Sequence, residues 1–240
     1  MKIAILNNSG NVGKTTIARE VLGTNMNNVL VEVETHNSGN SGYEKVFKEY
    51  VKIDADEITT LHAKMIENED IVVDIGASNI LEFFNKMLEF TGLEESFDIF
   101  IVPTTGDIKQ IKDTLKTVNI LKNFGIDTNK IVVIANRVNP TTFEKDFEIL
   151  LNASKKLGFR FNKDLAIRET KLLKELELLN KTLAEIVEDE TDYRAKIVET
   201  KGTQEQAKWV KLDLAKMSGK KVYEDFKRVF QNIVNIAKGA

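Results

Sequence analysis

The sequence has no cysteine, two histidines and two prolines among 240 residues. The missing cysteines exclude disulfides, thiolate zinc sites, iron–sulfur clusters and a cysteine nucleophile. Two histidines cannot build a multi-histidine metal centre, and they argue against a histidine-based triad. No apolar run approaches the roughly 18 residues of a membrane span. Met1-Lys2 leads directly into a strand pattern and not into a signal peptide. The expectation is a soluble, cytoplasmic chain. No single-sign charge excess dominates, since the net charge is −3, but the charge is unevenly placed. From Lys201 onward nine Lys/Arg face four Asp/Glu, so an acidic body carries a basic tail.

A hydrophobic content of 42% with 30% charged residues excludes whole-chain disorder. It also supplies a core that needs no covalent staples. Short β-branched runs at Lys2–Leu6, Val29–Val33, Ile71–Ile75, Ile99–Val102 and Ile131–Ala135 are nearly continuous in apolar residues, as in strands buried on both faces of a parallel sheet. Helical patterns lie between them, the clearest over Asp107–Phe124, where Ile108, Ile111, Leu115 and Val118 recur at spacings of three and four. Strands alternating with helices predict a doubly wound α/β fold with a mainly parallel sheet and helices on both faces. Beyond Ser154 the strand signal fades, and Thr170–Glu188 and Tyr223–Ala237 read as helices. The expected organisation is one domain over 1–240, with a motif-bearing core over 1–140 and a mainly helical extension over 141–240 packed on it. In such sheets ligands bind at the carboxyl ends of the strands, so the residues just after each strand are the candidates.

The strongest signal follows the first strand: Asn7-Asn8-Ser9-Gly10-Asn11-Val12-Gly13-Lys14-Thr15-Thr16. A buried strand entering a glycine-containing loop and then an apolar-faced helix is the setting in which backbone N–H groups cradle phosphates. In that setting Lys14 reaches the terminal phosphates and the Thr15 hydroxyl holds Mg²⁺. The general P-loop pattern asks for glycine five residues before Gly13, where Asn8 stands, so only Gly-x-x-Gly-Lys-Thr survives. Asp74 ends the run Ile71–Asp74, the place from which an acid completes a Mg²⁺–nucleotide site. A helix-capping Asp is the alternative. Glu32 and Glu34 alternate with valines and so share one strand face. They form either the exposed face of an edge strand or a group in which Glu34, near the γ-phosphate, orients water. His36, in the loop beyond, reads as a solvated histidine. Asn136, after the Ile131–Ala135 run, suits a purine edge or a cap.

Taken together, Asn7–Thr16, the Glu32/Glu34 strand end, Asp74 in Val-Val-Asp-Ile-Gly, Ile101–Pro103 and Asn136-Arg137 resemble, in order and approximate spacing, the ParA/MinD family of P-loop ATPases. Within it the opening loop is most similar to the StbB plasmid-stability proteins. The resemblance covers roughly the first 140 residues and continues loosely through Ala166–Glu169, where the family has a loop near the nucleotide base. It implies an ATP- and Mg²⁺-dependent switch for plasmid partition or stability, an ATP-dependent homodimer and a DNA-bound adaptor as partner. It also implies site roles: Ser9, Gly10, Asn11, Val12, Gly13, Lys14, Thr15 and Thr16 bind the phosphates, and Thr15 with Asp74 holds Mg²⁺. Lys14, Glu34 and Asp74 serve hydrolysis, and Asn136 with Arg137 lies against adenine. One departure matters: the family's loop carries an additional lysine that reaches across the dimer, and here Ser9 occupies its position. Removing such a charge costs on the order of 10³–10⁵ in rate. Hydrolysis is therefore expected to be weak, while nucleotide binding through Lys14 and backbone amides is not threatened.

The tail carries Lys201, Lys208, Lys211, Lys216, Lys220, Lys221, Lys227 and Arg228 with Trp209 among them. It reads as a helix packed on the core, as a nonspecific DNA patch over 201–240, or, through Val222, Phe226, Val229, Phe230, Ile233 and Ile236, as a membrane-surface helix. Three functions follow from the whole: a partition-type ATPase, a nucleotide-gated binding module without useful hydrolysis, and a small-molecule kinase or ligase on the same loop.

Overall fold

The structure, a computed structural model, describes residues 1–26, 28–34, 42–178 and 181–239. Among them a seven-stranded sheet runs in the order β3-β2-β4-β1-β5-β6-β7. Its strands are β1 (Lys2–Leu6), β2 (Val29–Val33), β3 (Glu49–Ile53), β4 (Ile71–Ile75), β5 (Ile99–Thr104), β6 (Ile131–Val138) and β7 (Ala166–Arg168). All neighbouring pairs are parallel. β1 lies between β4 and β5, so β2, β3 and β4 fill one side of β1 and β5 to β7 then build outward on the other. That reversal opens a crevice at the carboxyl end of β1.

Because side chains alternate along a strand, each central strand feeds two cores. Ala4 and Leu6 of β1 join one layer with Ile71, Val73 and Ile75 of β4. Ile3 and Ile5 join the other with Val72. The first layer is covered by α2 (Ile58–Glu67), α3 (Ile80–Met87), α4 (Ile108–Asn123), α5 (Phe143–Asp146) and α6 (Glu148–Leu157). The second is covered by α1 (Lys14–Thr16, continuing as a π-helical segment over Ile17–Gly23), α7 (Leu172–Leu178), α8 (Leu183–Val187) and α10 (Gln204–Ala237), with α9 (Tyr193–Glu199) packed against α10. The doubly wound parallel sheet with helices on both faces is thus the observed architecture.

Two strands fall outside the five read from sequence. β3 is Glu-Tyr-Val-Lys-Ile at the sheet edge, where Glu49 and Lys52 are exposed, so it lacks the continuous apolar run of a buried parallel strand. β7 has three residues, too few to make a pattern, and occupies the opposite edge. Glu32 and Glu34 do not belong to an exposed edge. β2 is flanked by β3 and β4, and Glu32 is buried.

The C-terminal reading also changes. α10 runs for 34 residues, longer than the stretch from Tyr223 that its periodicity marks. Val222, Phe226, Val229 and Ile233 are buried in the second core. Full burial stabilises each such side chain by about 1.5–3 kcal/mol, so this face seats on the sheet and is not available to a membrane surface. Asp225, also buried, clasps the helix to β7. It accepts from the Arg168 backbone N–H (3.0 Å) and from Arg168 Nε (2.6 Å) and Nη2 (3.0 Å), while Arg228 Nη1 donates to it at 2.9 Å. Among the described residues, no helix is long and apolar enough to cross a membrane.

Candidate functional site

The loop between β1 and α1 is held from beneath. Asn7 is fully buried, and its amide donates to Pro103 O (2.6 Å) and Thr114 Oγ1 (3.0 Å). Its carbonyl oxygen accepts from the Ser9 N–H (3.0 Å) and from Thr117 Oγ1 (3.1 Å), which itself receives the Asn8 N–H at 3.1 Å. The base of the loop is therefore fastened to β5 and to the buried polar face of α4. Asn8, where the general pattern has glycine, is accommodated through its backbone. On the far side Asn136 Nδ2 donates to Val12 O at 3.3 Å and stacks so closely on Gly13 that a Cβ there would stand 1.9 Å from it. Gly13 is also left-handed at φ 98°, a conformation that glycine adopts without steric cost. Asn11 (φ 58°) takes the same region, which asparagine tolerates better than most residues.

The loop's upper surface is open. Gly10, Asn11 and Thr15 are exposed, and Gly13, Lys14 and Thr16 are half-buried. The first N–H groups of a helix have no intrahelical acceptor, so α1 presents donors here beside the Lys14 ammonium. Val12 is buried and anchors the turn. Ser9 is buried as well, at 8% exposure.

Facing the loop is a cluster of carboxylates. Asp74 stands opposite Glu32 in the β2–β4 register, and both are buried. The Glu34 carboxylate lies over Gly76, where a Cβ would meet its Oε2 at 2.2 Å. Tyr50 hydroxyl donates to Glu32, and Tyr43 hydroxyl donates to Asp74 Oδ2 at 2.6 Å. Burial pushes the Asp74 carboxyl above the usual carboxylate range. The charge of Lys14 and the Tyr43 hydrogen bond oppose that rise, while Glu32 and Glu34 add to it. Asp74 does not cap a helix. It is a strand residue whose Oδ1 is buried with no partner among the described residues.

An orphaned, buried carboxylate oxygen near Lys14 suits a hydrated divalent cation. No group of three His, Cys, Asp or Glu that could hold a metal exists among the described residues. Mg²⁺ keeps several waters and takes few protein ligands beside substrate phosphates. Asp74 feels the charge of Lys14 across the crevice, with Glu34 at its margin. His36 lies outside the described residues. Asn136 makes its contacts with the loop, its Oδ1 accepting the Arg137 N–H at 2.9 Å, and Arg137 is exposed in a left-handed conformation (φ 55°). Sequence reasoning missed Tyr43, Tyr50, Thr114 and Thr117. Each reaches the site from another element, and only the threonines carried a hint, as polar residues on the buried side of a helix.

In the tail, Lys216 donates to Asp189 O, Arg228 pairs with Asp225, and Lys227 lies 3.7 Å from Glu188. Lys211, Lys220 and Lys221 are exposed and make no ion pair among the described residues.

No protein-family model and no curated protein sequence matches the chain. Solved structures do. The MinD cell division protein of Aquifex aeolicus aligns at TM-score 0.56 and 11% identity over 97% of this chain and 96% of that one. A structure of pNOB8 ParA bound to nonspecific DNA aligns at TM-score 0.53 and 11% identity, covering 99% and 98%. A complex of a Cyanothece McdA variant with ATP aligns at TM-score 0.52 and 17% identity, covering 100% and 96%. At these identities the likeness is one of fold, and it extends along the whole chain.

Proposed function

We propose that the chain is an ATP-binding, slowly hydrolysing switch of the ParA/MinD type, nearest in its loop to the StbB proteins and serving DNA partition or stability. The observation that carries this reading is the pairing of the braced Gly10–Thr16 loop with the orphaned Asp74 oxygen across the crevice beside β1. Fold neighbours that include an ATP complex and a nonspecific-DNA complex support it.

In this reading Lys14 and the N–H groups at the start of α1 hold the phosphate oxygens. Thr15 and Asp74 would hold Mg²⁺, which supplies charge neutralisation when bound. Glu34, over Gly76, orients the attacking water, and Asn136 braces the loop beside Arg137 where the base would lie. The exposed lysines of α10 meet DNA phosphates, and a DNA-bound adaptor and an ATP-dependent second copy complete the cycle.

A second reading has its own observation. Ser9 is buried and uncharged, so the charge that crosses the dimer in the family is missing. The protein would then be a nucleotide-gated binding module that does not turn over. Steady-state phosphate release by the full chain, with and without duplex DNA, decides between them. The expected outcome is slow ATP-dependent release, raised by DNA and absent in Lys14→Ala, which also binds ATP roughly 10–150-fold more weakly for want of a charge-assisted hydrogen bond. No release despite tight Mg·ATP binding would establish the binding module. Unchanged ATP affinity in Lys14→Ala would overturn the phosphate-loop assignment.

A further inference from the structure

We propose that Tyr43 is the positioning residue of the metal–nucleotide site: its hydroxyl holds one oxygen of Asp74 so that the other is presented to a Mg²⁺-bound nucleotide. The proposal rests on the reading of the site given above and deepens it, since no sequence motif marks Tyr43.

Tyr43 is completely buried, and a buried phenol needs a partner for its hydroxyl. The partner is Asp74 Oδ2, at 2.6 Å. The ring that carries the hydroxyl is fixed. Phe47 packs edge-on at 5.7 Å and 84°, and Tyr50 lies tilted at 5.8 Å. Tyr50 spends its own hydroxyl on Glu32, which leaves Tyr43 as the hydroxyl serving Asp74.

The need for such a donor follows from the surroundings. Asp74 lies beside Glu32 in register, with Glu34 at the strand end, and is 5% exposed. An ionised carboxylate in that setting must be oriented by a donor, because water reaches it poorly. A rigid phenol fixes the plane of the carboxylate while leaving Oδ1 unpartnered, and an unpartnered acceptor is what a water of a hydrated cation can fill. A second donor on Oδ1 would have closed the site to the metal.

The test is equilibrium binding of a fluorescent ATP analogue to the full chain, first in EDTA and then across a MgCl₂ titration, for the parent, Tyr43→Phe and Tyr50→Phe. Phenylalanine keeps the ring contacts and removes only the hydroxyl. For Tyr43→Phe the half-saturating Mg²⁺ concentration should rise about tenfold, as for loss of a hydrogen bond to a charged group. Affinity in EDTA should stay within about twofold, because without Mg²⁺ the Asp74 carboxylate has no cation to present, and Tyr50→Phe should keep the parent's Mg²⁺ midpoint within about twofold, because its hydroxyl serves Glu32 and not Asp74. A Tyr43→Phe midpoint equal to the parent's overturns the proposal, as does an equal loss of affinity in EDTA, which marks a merely structural role.

Should that variant not fold, the parent labelled with fluorotyrosine gives the answer. The Tyr43 ¹⁹F resonance, assigned by elimination with Tyr50→Phe, Tyr193→Phe and Tyr223→Phe, should shift when Mg²⁺ joins the nucleotide complex, and an unmoved resonance overturns the proposal. If the parent binds the analogue with no response to Mg²⁺, the metal–nucleotide reading fails and takes this inference with it. If the parent responds and Tyr43→Phe behaves identically, only the inference fails.

Discussion

Asp74 shows at the scale of one residue how a fold holds an unfavourable buried group. Burial together with Glu32 and Glu34 raises its carboxyl above the ordinary range, so in the nucleotide-free protein its ionised form costs stability. For an acid whose folded value is raised, that cost is present at neutral pH and is relieved as pH falls through the folded value. Asp74→Asn should therefore raise Tm of the nucleotide-free protein at neutral pH by about 2–4 °C, the shift given by roughly 1 kcal/mol in a chain of this length. Differential scanning calorimetry checks this, and the gap should narrow as the buffer is made acidic. A lower Tm in the variant would mean that Lys14 and Tyr43 more than offset the burial. Lys14 and Thr15 stand out in the sequence through the local Gly-x-x-Gly-Lys-Thr string, and Asp74 through its place in an apolar run. Tyr43 does not, since its partner is 31 residues away, and Thr117 meets Asn7 across 110. Local pattern carries no record of such contacts.

At the scale of elements, α10 is held to β7 by charge as well as by its apolar face. Burial alone pushes the Asp225 carboxyl up, and the hydrogen bonds from Arg168 with the charges of Arg228 and Arg168 outweigh it, leaving the carboxyl below its usual value. A depressed acid contributes stability above its unfolded value of about 3.9, and that contribution is lost as pH falls through the folded value. Asp225→Ala should destabilise the protein at pH 7 by about 1–3 kcal/mol, less than for a fully buried pair because both arginines can hydrate. Urea unfolding should show the difference shrinking below pH of about 4. A pH-independent difference would assign the effect to packing. The length of α10 escaped the sequence because Val210, Leu214 and Met217 are exposed on its outer side, which blurs the apolar period. The buried face from Val222 onward, in contrast, was legible at its correct spacing.

At the scale of the molecule, the sheet order sets the loop, the acids and α4 around one crevice, while α10 carries its exposed lysines on the second layer. Deleting 201–240 is no test of DNA contact, because the deletion would strip the second core of Phe226, Val229 and Ile233. Replacing Lys211, Lys220 and Lys221 together with alanine leaves that core intact. The salt dependence of nonspecific duplex binding should then weaken by about 0.9 in log–log slope for each phosphate no longer neutralised, with Mg·ATP affinity unchanged. Binding isotherms at several salt concentrations check this, and an unaltered slope would remove α10 from the DNA surface.

What the sequence determined by itself is whatever rests on neighbours along the chain: five buried strands, their alternation with helices, and a glycine-containing loop after the first strand that leads into a helix. What only the tertiary structure decided rests on partners far apart in the chain. These are the edge strands β3 and β7, the fastening of the loop by Asn7 to α4, the burial of Ser9 and of the α10 face, and the pairing of Tyr43 with Asp74. Burial periodicity is printed locally because each strand must hide both faces. Hydrogen bonds and ion pairs between elements exist only once packing has excluded water and brought their partners together.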